Sequence, residues 1–280
     1  MLQTNYHSNM MVNPLNSKHL ARVVDSKADM ITLNLEDAIA PSRKREALEN
    51  IGNFLSDTKE INSFIVVRTN PLYDGGEFEI EYLNNFNFDA IRLAKVKTQK
   101  EIEKALNIIK DDKELHISIE TKEAFNNLAN LRVDSRLTTA NLGILDLLTS
   151  LNLPQSLINS PNPTIDYILS KFLVEAKIAG LLPISFMYQD YKNIDGFQKW
   201  CIREKQMGFT TKACMGPAQV EVANKIFGVS DIELQKAKEI KRVFEENSLK
   251  GINGFMDSRY GFIDEPIYRD ALLVISLGVG

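Results

Sequence analysis

Cysteine and histidine are scarce in this chain. Only Cys201 and Cys214 occur, which excludes a disulfide-stapled scaffold and any four-cysteine zinc site. The histidines, His7, His19 and His116, lie too far apart in sequence for a local histidine metal motif. A dominant charge is also missing. With 33 basic and 37 acidic residues, the net charge is -4 and the signs are interspersed, so nothing points to nucleic acid as a ligand. No window approaches the ~20 consecutive apolar residues of a membrane span. Residues 1–12 lack the cationic flank and apolar run of a signal peptide. These absences predict a cytoplasmic protein with reduced thiols and neither membrane nor nucleic-acid partners. What remains is an ordinary globular composition, 44% hydrophobic and 25% charged, which excludes disorder.

The chain carries a rhythm of short β-rich runs, each followed by a polar or helical stretch. Strands are expected near 10–13, 30–35, 64–68, 90–94, 115–119, 141–144, 182–187 and 210–214. Runs such as Phe64-Ile65-Val66-Val67 are apolar on both faces, which suits a buried parallel sheet. Helices between them have recognisable starts. Thr98-Gln99-Lys100-Glu101 and Ser230-Asp231-Ile232-Glu233 read as capping boxes, and Ser42 and Thr164 open two further helices. About eight strands alternating with helices match the arithmetic of a (β/α)8 TIM barrel. A doubly wound sheet is disfavoured, because no Gly-x-Gly-x-x-Gly follows the first strand and no Walker lysine loop occurs. The expected division is a catalytic barrel over 1–230 and a C-terminal extension or lid over 231–280. In that extension a loop rich in Gly, Asp and aromatics over 251–265 would precede a short helix.

Reactive groups of such barrels sit at the carboxyl ends of the strands. Here those ends carry Leu35-Glu36-Asp37, Arg68-Thr69-Asn70, Lys95, Glu120-Thr121 and, beyond the sixth strand, Asp146. Period-two alternation groups His116, Ser118 and Glu120 on one face, and Thr32, Asn34 and Glu36 on another, so polar faces should point into the barrel. Glu120 and Asp146 suit a hard divalent cation such as Mg2+, which needs only one or two carboxylates and no histidine. Arg68 suits a substrate carboxylate. Interstrand salt bridges are the competing reading of the same residues, and for Glu36 and Asp37 a loop bridge to Arg43 or Arg45. Lys95 invites a Schiff-base role, which ranks below the metal reading. His116 and Cys214 read as core residues.

Several segments together resemble a known family. Leu35-Glu36-Asp37-Ala38, Val67-Arg68-Thr69-Asn70-Pro71, Lys95-Val96, Ile119-Glu120-Thr121 and Lys212-Ala213-Cys214-Met215-Gly216-Pro217-Ala218-Gln219-Val220 stand in family order, as does Gly261-Phe262-Ile263-Asp264-Glu265-Pro266. The chain resembles the citrate lyase β-subunit-like group of the HpcH/HpaI aldolase superfamily, which includes malyl-CoA and citramalyl-CoA lyases. The resemblance implies a TIM barrel, Mg2+ on Glu120 and Asp146, and substrate binding by Arg68 and Glu120. It places Glu36 and Asp37 in the outer shell of the site. It further implies that Asp264 acts as acid/base in a neighbouring subunit's site, and that the chain assembles as a homotrimer or hexamer, with citrate lyase α and γ subunits as candidate partners. The substrate would be a small carboxylic acid, free or as a CoA thioester, cleaved at a carbon–carbon bond through a metal-stabilised enolate.

The chain also departs from the pattern. Its beginning reads His7-Ser8-Asn9-Met10-Met11-Val12-Asn13-Pro14 where the family has Arg-Ser-x-Leu-Phe-Val-Pro-Gly. Asn34 replaces an aspartate, Leu145 precedes Asp146 where the family has Glu, Ser185-Phe186 replaces Asp-Gly, and Gly216 replaces a histidine. These changes touch the substrate tail more than the metal. They leave two other readings open: a thioesterase-like or free-acid enzyme on the same scaffold, and a non-catalytic homologue that binds a small acid or a protein.

Overall fold

The computed structural model describes residues 6–58, 61–160 and 162–278. The first five residues of the N-terminal segment weighed above as a leader lie outside the described residues. The chain forms two compact units, one over residues 6–224 and the other over the remainder from Lys225.

In the larger unit eight parallel strands close in sequence order into a barrel: β1 (Ser8–Val12), β2 (Met30–Asn34), β3 (Phe64–Thr69), β4 (Ala90–Leu93), β5 (Glu114–Ile119), β6 (Leu137–Leu142), β7 (Leu182–Ser185) and β8 (Thr211–Cys214). Helices fill the connections: α1 (Ser17–Ala21), α2 (Lys44–Asp57), α3 (Gly76–Leu83), α4 (Gln99–Ile108), α5 (Lys122–Asn126), α6 (Ile144–Ser150), α7 (Pro163–Ile178), α8 (Ile194–Met207) and α9 (Pro217–Phe227). This is the (β/α)8 TIM barrel expected from the rhythm of the chain. Local chemistry explains the elements. The capping box of Thr98 and Glu101 closes reciprocally at the start of α4, whose Ile102, Ala105 and Leu106 are buried. Each such aliphatic side chain removed from water contributes roughly 1.5–3 kcal/mol. Gly208, at φ 105°, ends α8 in the left-handed conformation that glycine adopts without steric cost.

The sixth strand departs from expectation. It runs over Leu137–Leu142, not 141–144, because the β-branched pair Thr138-Thr139 extends it backwards and Gly143 breaks it forwards. Inside the barrel the layer is polar. The Thr32 hydroxyl donates to Asn9 Oδ1 at 2.7 Å, and Asn9 Nδ2 donates to Asn141 Oδ1 at 3.4 Å.

The smaller unit contains α10 (Asp231–Ser248), the antiparallel pair β9 (Gly254–Asp257) and β10 (Gly261–Asp264), and α11 (Glu265–Leu277). The expected loop is therefore a hairpin. Asp257 Oδ1 accepts from the backbone N–H groups of Arg259 and Tyr260, and Gly261 turns at φ 76°. The helix that follows is longer than expected, at 13 residues. Ala237, Ile240, Phe244, Ile263 and Ala271 form this unit's own core, with the Tyr268 ring stacked 4.5 Å from that of Phe244. Among the described residues, no helix is long and apolar enough to cross a membrane.

Candidate active site

A cavity of about 290 Å³ opens where the strands end, lined among others by Asn34, Asp37, Arg68, Arg92, Glu120 and Asp146. The sequence-level candidates Arg68, Glu120, Asp146 and Asp37 thus converge on one space. Glu36 lies just behind it, only 1% exposed. Asp264 belongs to the smaller unit, where its side chain caps α11 by accepting from the Ile267 N–H at 3.3 Å.

Arg68 is the hub. Its Nη2 donates to Glu120 Oε1 at 2.6 Å, and its Nη1 lies 2.9 Å from Glu36 Oε2 and 3.5 Å from Asn34 Oδ1. Burial works against the guanidinium charge, but Glu120 and Glu36 outweigh it and hold Arg68 above its ordinary value. Nε is buried without a partner among the described residues. The fork is therefore largely engaged within the protein, where the sequence reading left it open for substrate. Nη2 still carries a second N–H beyond the one given to Glu120.

Glu36 and Asp37 differ from the expected loop bridges. Arg43 pairs with Glu46 at 2.6 Å and Arg45 with Glu49 at 3.0 Å, each one helical turn away. Lys95 takes both acids instead, with Nζ 2.7 Å from Glu36 Oε1 and 2.9 Å from Asp37 Oδ1. Burial pushes the Glu36 carboxyl up against the pull of Arg68 and Lys95. Partial burial also opposes the Asp37 charge, but the Lys95 ammonium wins there and lowers the carboxyl. Desolvation disfavours the Lys95 charge, yet its hydrogen bonds to both acids raise it well above an ordinary lysine. A lysine so firmly protonated is not a Schiff-base nucleophile at neutral pH. Lys95 also holds φ at 50°, a left-handed conformation that costs about 1–2 kcal/mol outside glycine. From that strained position its backbone N–H reaches Glu120 Oε2 at 3.0 Å.

Glu120, just past β5, is thus held at both oxygens. The opposite wall must be bare for it to fit: a Cβ built on Gly143 would stand 2.2 Å from Glu120 Cγ. Asp146 lies in the first turn of α6, not on a strand. Its carboxylate makes no hydrogen bond or ion pair among the described residues, and burial followed by the charge of Glu120 pushes it up. Among the described residues no three His, Cys, Asp or Glu side chains gather as a metal cage. Two carboxylates lining one cavity still offer hard oxygen donors of the kind Mg2+ takes, with water and substrate completing the shell.

The family's altered positions are also placed. Asn34 Oδ1 accepts from Arg68. Ser185 lines the cavity, but its hydroxyl donates to Glu204 Oε1 at 2.7 Å. A Cβ on Gly216 would meet nothing within 4 Å. His116 is fully buried and does not line the cavity, stacking instead on Phe64 at 5.8 Å. Arg92 is the residue the sequence reading missed. It sits on β4 facing the cavity, and a single charge inside the apolar run 90–94 was the available signal.

The sequence profile of the HpcH/HpaI aldolase/citrate lyase family matches residues 8–217. A (3S)-malyl-CoA thioesterase of Cereibacter sphaeroides is 29% identical over 225 residues, 80% of this chain and 78% of the relative. The citrate lyase subunit beta of Haemophilus influenzae is 27% identical over 284 residues, 96% of this chain and 95% of that one. The CitE protein of Mycobacterium tuberculosis, solved in complex with magnesium, acetoacetate and coenzyme A, superposes with a TM-score of 0.79 over all of both chains, at 19% identity. At that identity the superposition speaks to the fold alone.

Proposed function

The chain belongs to the HpcH/HpaI aldolase/citrate lyase family, and from that premise we propose that it is a Mg2+-dependent carbon–carbon lyase acting on a hydroxy acid or its CoA thioester. One observation carries this reading. Glu120 and Asp146 face one cavity, and the Asp146 carboxylate makes no ion pair among the described residues. The magnesium-bound CitE protein supports the choice of ion. Magnesium, when held by Glu120 and Asp146, supplies positive charge that lowers the energy of a developing enolate.

The protein's own groups do the rest. Arg68 aligns Glu120 through the 2.6 Å contact and offers its remaining Nη2 N–H to the substrate carboxylate. Lys95 holds Glu36, Asp37 and the Glu120 carboxylate, so these acids keep their position while substrate exchanges. In the cleavage the hydroxyl proton leaves, the electrons of the breaking bond move to the α-carbon of the acyl fragment, and that carbon takes up a proton. We assign the proton transfer to Asp264 of a neighbouring subunit, the role that the family resemblance implies.

Calorimetric titration of Mg2+ in the presence of oxaloacetate or pyruvate tests the site. Saturable binding in the wild type that disappears in both Glu120→Ala and Asp146→Ala is the expected result. Failure of the wild type to bind with any oxo acid sinks the catalytic reading and leaves a non-catalytic small-acid or protein binder.

The similarity to a protein named (3S)-malyl-CoA thioesterase favours a second reading, hydrolysis of the thioester on the same metal site. Incubation with a malyl thioester separates the two. A lyase releases an oxo acid with the thioester intact on the acyl fragment, whereas a thioesterase releases free thiol.

A further inference from the structure

Two charged groups at the cavity make no direct ion pair among the described residues, whereas the others are paired. Arg68 lies between Glu36 and Glu120, and Lys95 between Glu36 and Asp37. Asp146 makes no ion pair among the described residues, and the metal of the preceding reading would supply one. Arg92 shows the opposite deficit, because it forms no ion pair with a carboxylate among the described residues.

Arg92 is only 6% exposed. Its Nε donates to Ser118 Oγ at 2.9 Å and its Nη1 to Asn141 Oδ1 at 3.2 Å, both neutral acceptors. Nη2 donates to no described residue. Burial, and then the neighbouring Arg68, brings the guanidinium down to about 9 against the more distant pull of Glu120 and Glu36, so it remains charged at neutral pH. A buried charge that no carboxylate pairs directly is costly, and its persistence beside a cavity marks a place for a ligand of opposite sign. A second donor stands next to it. Asn141, 3% exposed, accepts at its Oδ1 from Arg92 and Asn9, while its buried Nδ2 has no acceptor among the described residues. Both residues line the cavity. The β3–β4 register sets Arg92 directly beside Arg68, so two guanidinium groups stand at one height of the barrel.

We propose that Arg92 and Asn141 bind a second carboxylate of the substrate, so that the site takes a dicarboxylic oxo acid in preference to a monocarboxylic one. This rests on the reading of the cavity as the active site of a metal-dependent lyase. A planar carboxylate matches the guanidinium fork, and the amide N–H of Asn141 adds a donor to the same anion. Arg68 and the metal edge at Glu120 and Asp146 remain available to the carboxylate and oxo group at the reacting end.

The experiment is calorimetry in saturating Mg2+ at fixed ionic strength, with oxaloacetate and pyruvate as probes. The proteins are the wild type, Arg92→Met, Arg92→Lys and Glu120→Ala. The wild type should bind oxaloacetate at least about tenfold more tightly than pyruvate, in keeping with a charge-assisted pair. Arg92→Met should lose that preference while its pyruvate affinity stays within about twofold of wild type, and Arg92→Lys, with charge but no fork, should fall between. Equal wild-type affinity for the two acids overturns the proposal, and so does a preference that survives Arg92→Met. The wild-type ratio needs no variant, so a misfolded Arg92→Met cannot rescue the idea. If the wild type binds both acids equally and Glu120→Ala binds neither, the lyase reading stands and only the second-carboxylate site falls. If the wild type binds neither acid, both fall together.

Discussion

Lys212 and Glu204 are both fully buried between β8 and α8, and their charged groups meet at 2.8 Å. The Lys212 ammonium also donates to the Phe186 carbonyl at 2.8 Å and lies 3.8 Å from the Phe186 ring centre, while Ser185 donates to the same Glu204 oxygen. Each charge answers the other. At the mouth of the same barrel Arg92 is buried almost as deeply, yet it meets only neutral acceptors and faces an open cavity. Burial of a charge is common to both places. What separates structure from function is whether the protein itself supplies the counter-charge.

The contrast is sharpest for stability. Lys212→Met strands a buried carboxylate and should destabilise the fold by about 3–5 kcal/mol, read by denaturant unfolding. Adding Glu204→Leu should return most of that loss, because an apolar pair replaces an ionic one. A double variant no more stable than the single one would mean that the pair holds more than itself in place.

At the mouth the limits are steric. Gly143→Ala drives a Cβ into Glu120, and should cost about 1–3 kcal/mol while abolishing Mg2+ binding in the calorimeter. Unchanged metal affinity in that variant would show that Glu120 has room to move. Arg92→Met should do the reverse of Lys212→Met. Removal of an unanswered charge should raise the stability of the unliganded protein by about 1 kcal/mol, at the expense of ligand selection. A lower melting temperature would place Arg92 with the structural charges.

The smallest effect is expected at Asp37, which is exposed as well as paired with Lys95. Asp37→Asn should cost less than about 1 kcal/mol. Its folded carboxyl is lowered, so its contribution is complete above the ordinary carboxylate value of 3.8 and is lost as pH falls through the lower folded value. Unfolding curves of variant and wild type should therefore converge in acid. Persistent separation there would point to a role other than charge.

Much of the fold was legible because it rests on local chemistry. Seven of the eight strands fall where apolar, β-rich runs place them, and the capping boxes at Thr98 and Ser230 both form. The sixth strand slipped because its Thr-rich opening lacks an apolar run, and the glycine that ends it lay within the expected span. In the site, alternation along β2 and β5 brought out Glu36 and Glu120, and strand-end position brought out Arg68. The pairing of those acids was not legible. Arg43 and Arg45 are closer in sequence to Glu36 and Asp37 than Arg68 and Lys95 are, yet their side chains pair with Glu46 and Glu49 of α2. Arg92 escaped notice because a single arginine in a short strand has the same appearance whether its charge is answered or not.

The sequence alone thus determined the order of strands and helices, the barrel and the acids at its mouth. Periodicity and capping are properties of neighbours along the chain. Only the tertiary structure decided which charges answer one another, that Glu120 needs a bare Gly143, and that Asp146 and Arg92 are left over. Those outcomes depend on distances between residues brought together by barrel closure, and electrostatic energy varies with distance and burial, not with separation along the chain.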